Sequence, residues 1–188
     1  VLRGNAVLRG GVFGVGFSSF ILQIMILLQF QSFSGLLYHA FILLTAIFMV
    51  GASLGAYLFL VKNFETMKWL RLIHLFISLI ALLVIGFTLL IENLPLPYWA
   101  GFSGFMMLSM FSGFLTGSYY PLVTSAGFST RENVVPAEFY AWDLLGASAG
   151  GFVAGVLFFP IMGLIPSSII IVLFNILIFY TITKKESV

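Results

Sequence analysis

Long apolar stretches separated by short polar or proline-containing gaps make up most of the chain. A helix that spans a bilayer needs about 20 mostly apolar residues, and six stretches reach that length. They cover approximately residues 11–31, 35–61, 69–91, 98–122, 139–164 and 167–183. The pattern predicts an all-α, polytopic membrane protein in which residues 1–188 form a single domain of six transmembrane helices.

Composition narrows the class of protein further. Hydrophobic residues make up 61% of the 188 residues, charged residues only 7%, and the mean hydropathy is +1.17. A soluble domain carries about 25% charged residues, so we expect the lipid bilayer to surround this chain. The low charge content also argues against a nucleic-acid-binding protein. Cysteine is absent, which removes disulfides, thiolate metal sites and cysteine nucleophiles.

The basic residues are distributed asymmetrically along the predicted topology. All eight fall at the ends of the spans that share a side with the N-terminus: Arg3, Arg9, Lys62, Lys68, Arg71, Arg131, Lys184 and Lys185. The opposite turns carry one charge, that of Glu92. Because short cytoplasmic loops are enriched in lysine and arginine, we expect both termini in the cytoplasm. We place the chain in the inner membrane of a bacterium.

Small residues recur at four-residue spacing in the second, fourth and fifth stretches. The glycines in these patterns are Gly51, Gly55, Gly113, Gly117, Gly146, Gly150, Gly151 and Gly155. Such spacing lets helix backbones approach closely in lipid, so we expect the fifth helix to be buried and central. Gly51-Ala-Ser resembles Gly146-Ala-Ser, and three spans per half would give a 3+3 inverted repeat; chance similarity is the alternative.

Three polar residues within the spans are candidates for binding. Asp143 is the only acidic residue that the sequence places clearly inside a span. An ionisable residue in such a position is a functional candidate by default. Its structural alternatives are an interfacial position or an ion pair with Arg71 or Arg131. Gln23 and Asn175 are amides near the middle of spans, and hydrogen bonding to a neighbouring helix is their more common role.

No motif for catalysis, metal binding or a cofactor is recognisable. His39 and His74 are predicted near opposite ends of their spans and lack spaced Cys, Asp or Glu partners, so they do not form a zinc or haem site. We therefore expect no catalytic residues, no metal and no cofactor. The connection 124–138 is either a solvated connector or a docking surface for a cytoplasmic partner.

Two stretches, 14–60 and 117–164, resemble the membrane part of the spermidine synthase-like integral membrane proteins. The features that carry the resemblance are Tyr120-Pro121-Leu122, Asp143 with Gly146 and Gly150, and Pro160 with Gly163-Leu164. The resemblance implies a six-helix bundle like half of a major facilitator protein. That family joins such helices to a polyamine aminopropyltransferase domain, which these 188 residues do not contain, and Gln23 stands where the family pattern leads us to expect an acid.

Three functions compete on these observations. The first is a non-catalytic membrane module, an anchor or assembly subunit of a spermidine synthase-like protein or a larger membrane complex. Its partners would be other membrane subunits or a second copy. The second is a half-transporter for a small cation such as a polyamine, which would use Asp143 and the amides. The third is the membrane part of an aminopropyltransferase whose catalytic domain lies outside this sequence.

Overall fold

The computed structural model describes residues 2–35, 37–61, 65–94, 97–129 and 136–186, and these ranges are helical except at a few turn residues. The helices are α1 Leu2–Ser34, α2 Leu37–Val61, α3 Thr66–Asn93, α4 Tyr98–Ser129, α5 Pro136–Val153 and α6 Leu164–Glu186. A π-helical segment, Ala154–Met162, continues α5. Six of these helices are long and apolar enough to cross a bilayer, which confirms the all-α membrane fold. The chain is an integral membrane protein.

Two glycines end helices in a conformation that other residues rarely adopt. Gly35 follows α1 with φ of 67°, and Gly163 separates the π-helical segment from α6 with φ of 76°. A side chain is strained at positive φ, so glycine permits both turns. The Gly163 N–H donates to the Phe158 carbonyl at 3.0 Å, which completes the last wide turn. A single residue thus joins the fifth and sixth spans.

The helices extend further than the apolar stretches alone suggest. α4 continues through Thr124 to Ser129, and α5 already begins at Pro136. Both ends of the expected 124–138 connection are therefore helical. Of the three charged residues of that connection, Glu138 lies in the first turn of α5, and Arg131 and Glu132 lie outside the described residues.

The core lies between α1, α3, α4 and α6. α1 buries one apolar residue per turn towards it, including Val15, Leu22, Met25 and Phe30. α2 packs mainly on α4, and α5 packs mainly on α1. These two outer helices are the least buried of the six spans.

The expectation of a central fifth helix is wrong. Of α5 and its π-helical extension, the buried residues are Phe139, Gly146, Gly150 and Ala154, while Phe152 is 66% exposed. The glycines let one face of α5 approach α1, but close approach on one face does not bury the other face. The opposite face is left for lipid or a partner.

Glycine brings α2 and α4 into backbone contact from both sides. A Cβ at any of four glycines would collide with a carbonyl group of the facing helix. The pairs are Gly51 with Met110, Gly55 with Phe114, Gly113 with Phe48 and Gly117 with Ala52. Replacing these hydrogens by side chains would push the helices apart.

The α1/α5 pair uses the same kind of contact. Gly146 lies against the carbonyl of Phe13, Gly150 against that of Phe17, and Gly16 against that of Asp143. Gly51 and Gly146 are about 95 positions apart, and Gly16 and Gly113 about 97. The same two differences in residue number relate Phe48 to Asp143 and Phe13 to Met110. Three contacts of one pair therefore have a counterpart in the other.

Candidate functional site

A buried polar network joins four helices at the centre of the bundle. His74 on α3 places Nδ1 2.9 Å from Oδ1 of Asn175 on α6, and Nε2 3.2 Å from the hydroxyl of Tyr119 on α4. The Asn175 amide nitrogen donates to Ser18 Oγ on α1 at 2.8 Å and to the Ile171 carbonyl at 2.9 Å. The side chains of His74, Asn175, Tyr119 and Ser18 are almost completely buried.

The donors and acceptors of this network determine the tautomer of His74. Because the Asn175 amide nitrogen donates to Ser18 and to a carbonyl, its Oδ1 is the acceptor for His74. Nδ1 of His74 therefore carries the hydrogen, and Nε2 accepts from the Tyr119 hydroxyl. Every strong polar atom of the histidine and the asparagine has a partner, and no charge is needed.

The network links helices that are distant in sequence. Asn175 was a candidate from sequence, and the structure gives it the interhelical hydrogen bonds of an amide in a packed bundle. Sequence reasoning missed Ser18 and Tyr119. Neither residue is unusual in its own helix, and only the three-dimensional packing places them beside Asn175 and His74.

Gln23 lies in a second polar seam, between α1 and α4. Ser109 Oγ is 3.2 Å from Gln23 Oε1 and 2.9 Å from the Leu44 carbonyl. One turn away, the hydroxyls of Thr116 and Ser19 share a hydrogen bond at 2.7 Å, and Thr116 Oγ1 is also 2.9 Å from the Ser112 carbonyl. Two buried atoms of this seam, Gln23 Nε2 and Ser112 Oγ, have no hydrogen-bond partner within the described part of the chain.

The single proton of Ser109 decides how the Gln23 amide is oriented. A hydroxyl cannot donate to both Oε1 and the Leu44 carbonyl. Rotating the amide by half a turn resolves this, because its nitrogen then donates to Ser109 and Ser109 donates to Leu44. The Gln23 oxygen then lacks a partner, together with the Ser112 hydroxyl.

Asp143 lies apart from both polar regions, on α5 against α1. Its Oδ1 is 2.7 Å from the position that a Cβ on Gly16 would take. Its carboxylate makes no hydrogen bond or ion pair among the described residues, so the structure gives no ion pair with Arg71, and Arg131 lies outside the described ranges. Glu138, about one and a half turns before Asp143 on α5, pairs instead with Arg9 on α1 at 2.8 Å.

The three binding candidates therefore do not share a set of contacts. Asn175 belongs to the histidine network, Gln23 to the α1–α4 seam and Asp143 to the α1/α5 contact. Of the two histidines, His74 is part of the network, and the side chain of His39 lies outside the described residues. Among those described, no group of three His, Cys, Asp or Glu could hold a metal ion.

Seven of the eight glycines from the sequence patterns lie against another helix or an aromatic ring. Gly151 faces the ring of Phe20, and six others face backbone carbonyls. Gly155 has open space where a Cβ would point. Gly155 therefore does not contribute to the close contact of α5 with α1.

The sequence and the structure were compared with known proteins, and no relative was found. No protein family, no curated protein and no solved structure matches the chain. The resemblance to the spermidine synthase-like membrane proteins therefore remains an expectation from sequence.

Proposed function

We propose that the chain is a non-catalytic integral membrane module, an anchor or assembly subunit that holds other membrane proteins. The observation that carries this proposal is the His74–Asn175 network. The network uses the strongest polar groups of the interior to join α1, α3, α4 and α6. Groups that are fully satisfied by one another stabilise one arrangement of helices, which suits a scaffold.

The outer helices support the same proposal. α2 and α5 each face the bundle along a narrow glycine-containing surface and expose large apolar side chains elsewhere, among them Phe41 at 58%, Tyr57 at 64% and Phe152 at 66%. These surfaces provide area for lipid and for partner subunits or a second copy. A spermidine synthase-like protein or a larger membrane complex would supply such partners.

Orientation and internal symmetry complete the proposal. The lysines and arginines favour cytoplasmic termini and, in a bacterium, the inner membrane. The matched contacts of α1/α5 and α2/α4 favour a 3+3 inverted repeat that relates α1 to α4 and α2 to α5. Ser19 and Thr116 are equivalent under the same shift of about 97 positions and bond to each other, as residues beside a twofold axis would.

A half-transporter for a small cation, such as a polyamine, is the second candidate. The observation that favours it is the pair of partnerless buried atoms on Gln23 and Ser112, at the interface between the two halves. Transporters with inverted repeats bind their substrates at this interface, near the middle of the bilayer. The third alternative, the membrane part of an aminopropyltransferase, has no support among the described residues.

Accessibility of the seam separates the anchor from the carrier. The chain has no cysteine, so single cysteines at Ser19, Ser112 and Thr116 can be tested with membrane-impermeant thiol reagents applied to either side of sealed vesicles. We expect no labelling, because an anchor keeps the seam closed. A carrier must open the seam to water, so labelling of any of these positions would contradict the anchor. Cysteines at Glu65 and Asn93 serve as exposed controls at opposite ends of α3.

Partner binding is tested by a photo-crosslinking residue at Phe152. We expect a discrete protein adduct in native membranes, either with a second subunit or with another copy of the chain. The same residue at the buried Phe105 is the matched control and should give no protein adduct. Lipid adducts alone at Phe152 would contradict assembly through α5.

A further inference from the structure

A crevice of about 360 Å³ opens between α1, α3 and α4, at the helix ends opposite the basic residues. Four polar side chains line it: Gln29 and Ser32 on α1, Thr88 and Glu92 on α3. The volume lies within the range of about 300–1,000 Å³ that is common for small-molecule sites. The crevice is separate from the histidine network and from Asp143.

The polar groups of the crevice are free to bind a ligand. Gln29, Ser32 and Glu92 make no hydrogen bond or ion pair in the part of the chain that the structure describes. Thr88 donates to the Val84 carbonyl at 2.8 Å, which leaves its oxygen lone pairs available. Carboxylate, amide and hydroxyl oxygens are all acceptors, so the lining favours a ligand that donates hydrogen bonds.

Charge points to a cation. Glu92 is the only charge that the sequence places in the turns on this side, and the basic residues of the described helices lie at the opposite ends. Its carboxylate therefore has no counter-ion among the described residues. A ligand cation would supply the missing charge, and a charged donor strengthens each hydrogen bond to the oxygens.

Aromatic rings form the apolar part of the crevice. Phe33 and Phe105 both line it, and their ring centroids are 6.0 Å apart. Phe33 also stacks on Tyr98 at 5.4 Å, while Gly101 leaves the space that the Phe33 ring occupies. Ring faces attract cations and pack against short alkyl chains, so the rings fit the carbon part of an amine.

We propose that this crevice binds a primary ammonium group. The three N–H donors of the ammonium would bond to the oxygens of Glu92, Gln29 and Ser32, and the attached carbons would lie against Phe33 and Phe105. The ammonium can belong to a soluble alkylamine or to the headgroup of phosphatidylethanolamine, because the crevice opens at the helix ends, where headgroups lie.

The charge of Glu92 is the first test. Ethylammonium is titrated onto the full chain in nanodiscs of phosphatidylcholine, and retention of phosphatidylethanolamine is measured by native mass spectrometry from mixed nanodiscs. We expect Glu92→Gln to weaken at least one of these interactions about tenfold, the loss of one charged hydrogen bond. Glu65→Gln, at the other end of α3, is the matched control and should change neither.

The two measurements distinguish the sources of the ammonium. Binding of ethylammonium that depends on Glu92 supports a soluble amine, and lipid retention that depends on Glu92 supports the headgroup. If neither interaction depends on Glu92, the proposal is overturned. Equal affinity for tetramethylammonium, which has the charge but no N–H donors, would also overturn the assignment of a primary ammonium.

The shape of the crevice gives an independent test. Gly101→Ala should push the Phe33 ring from its place and weaken binding while Glu92 is intact. Ser32→Ala should weaken it about fivefold through loss of one hydrogen bond. Unchanged affinity in both variants would exclude this crevice, even if Glu92 affects binding through its charge.

Discussion

The α1/α5 and α2/α4 pairs use the same backbone contact but carry different side chains at equivalent positions. Gly113 lies against the carbonyl of Phe48, and its counterpart Gly16 lies against the carbonyl of Asp143. In both pairs a backbone carbonyl lies against the glycine, and in the α1/α5 pair the Asp143 Oδ1 also lies 2.7 Å from the Cβ position of Gly16. A phenylalanine in one pair therefore shows that close packing of this kind does not require a carboxylate in the other.

This difference shows which part of the Asp143 motif is needed for helix packing, which the sequence alone does not show. Asp143 and Gly146 both lie on α5, three residues apart, and both belong to the motif that resembles the spermidine synthase-like proteins. The comparison shows that the backbone carbonyl at this position contacts a glycine whether the side chain is phenylalanine or aspartate.

Glycine substitutions should have the largest effect on both pairs. Gly55→Leu and Gly150→Leu would force a side chain into a carbonyl of the facing helix, so we expect loss of most folded protein. Gly86→Leu is the control, because no atom lies within 4 Å of its Cβ position. The yield of monodisperse protein in detergent measures the effect, and equal yields for Gly150→Leu and Gly86→Leu would show that α5 does not depend on this contact.

Asp143 should tolerate substitution better than the glycines. A carboxylate at this depth loses hydration and has no partner among the described residues, so we expect Asp143→Asn to leave stability unchanged or raise it by on the order of 1 kcal/mol. Asp143→Phe, which copies Phe48, should also fold. Thermal unfolding of the purified variants checks both, and a large loss of stability in Asp143→Asn would mean that the carboxylate stabilises the fold.

The smallest effect is expected at the contact between Ser19 on α1 and Thr116 on α4. Ser19→Ala and Thr116→Val remove opposite ends of one hydrogen bond, so each should cost about 1 kcal/mol through that bond. Thr116→Val also removes the hydrogen bond of Thr116 to the Ser112 carbonyl. Since both variants break the same bond, the double variant should cost less than the two single losses together. A double-mutant cycle by thermal unfolding measures this coupling. Fully additive losses would indicate that the two hydroxyls act independently.

The fold was predictable because lipid imposes simple requirements on a spanning chain. Each helix needs a long apolar stretch and internal hydrogen bonding, and both show in the sequence as six stretches with polar gaps. The position of α5 was not predictable, since glycine spacing indicates that one face approaches a neighbour and contains no information about the other face. Helix lengths were underestimated where polar residues such as Thr124 and Ser125 continue α4.

The interior network was only partly predictable for a physical reason. Asn175 was a candidate because a buried amide needs partners, but nothing in the sequence indicates that His74, about 101 positions earlier, provides one. The crevice likewise depends on two helix ends that meet only in the folded chain. Glu92 was noticed as a lone charge, yet its neighbours Gln29 and Ser32 gave no signal of their own.

The hydrogen bond between Ser19 and Thr116 has a consequence for how such a chain could arise by duplication. If two identical three-helix units met in antiparallel fashion, the residue beside their axis would face its own copy. A carboxylate would then repel itself, as would an ammonium group. A hydroxyl both donates and accepts, so it can pair with a copy of itself before the halves diverge. Serine opposite threonine is therefore a pairing that works equally well in a dimer of identical units and in a fused chain.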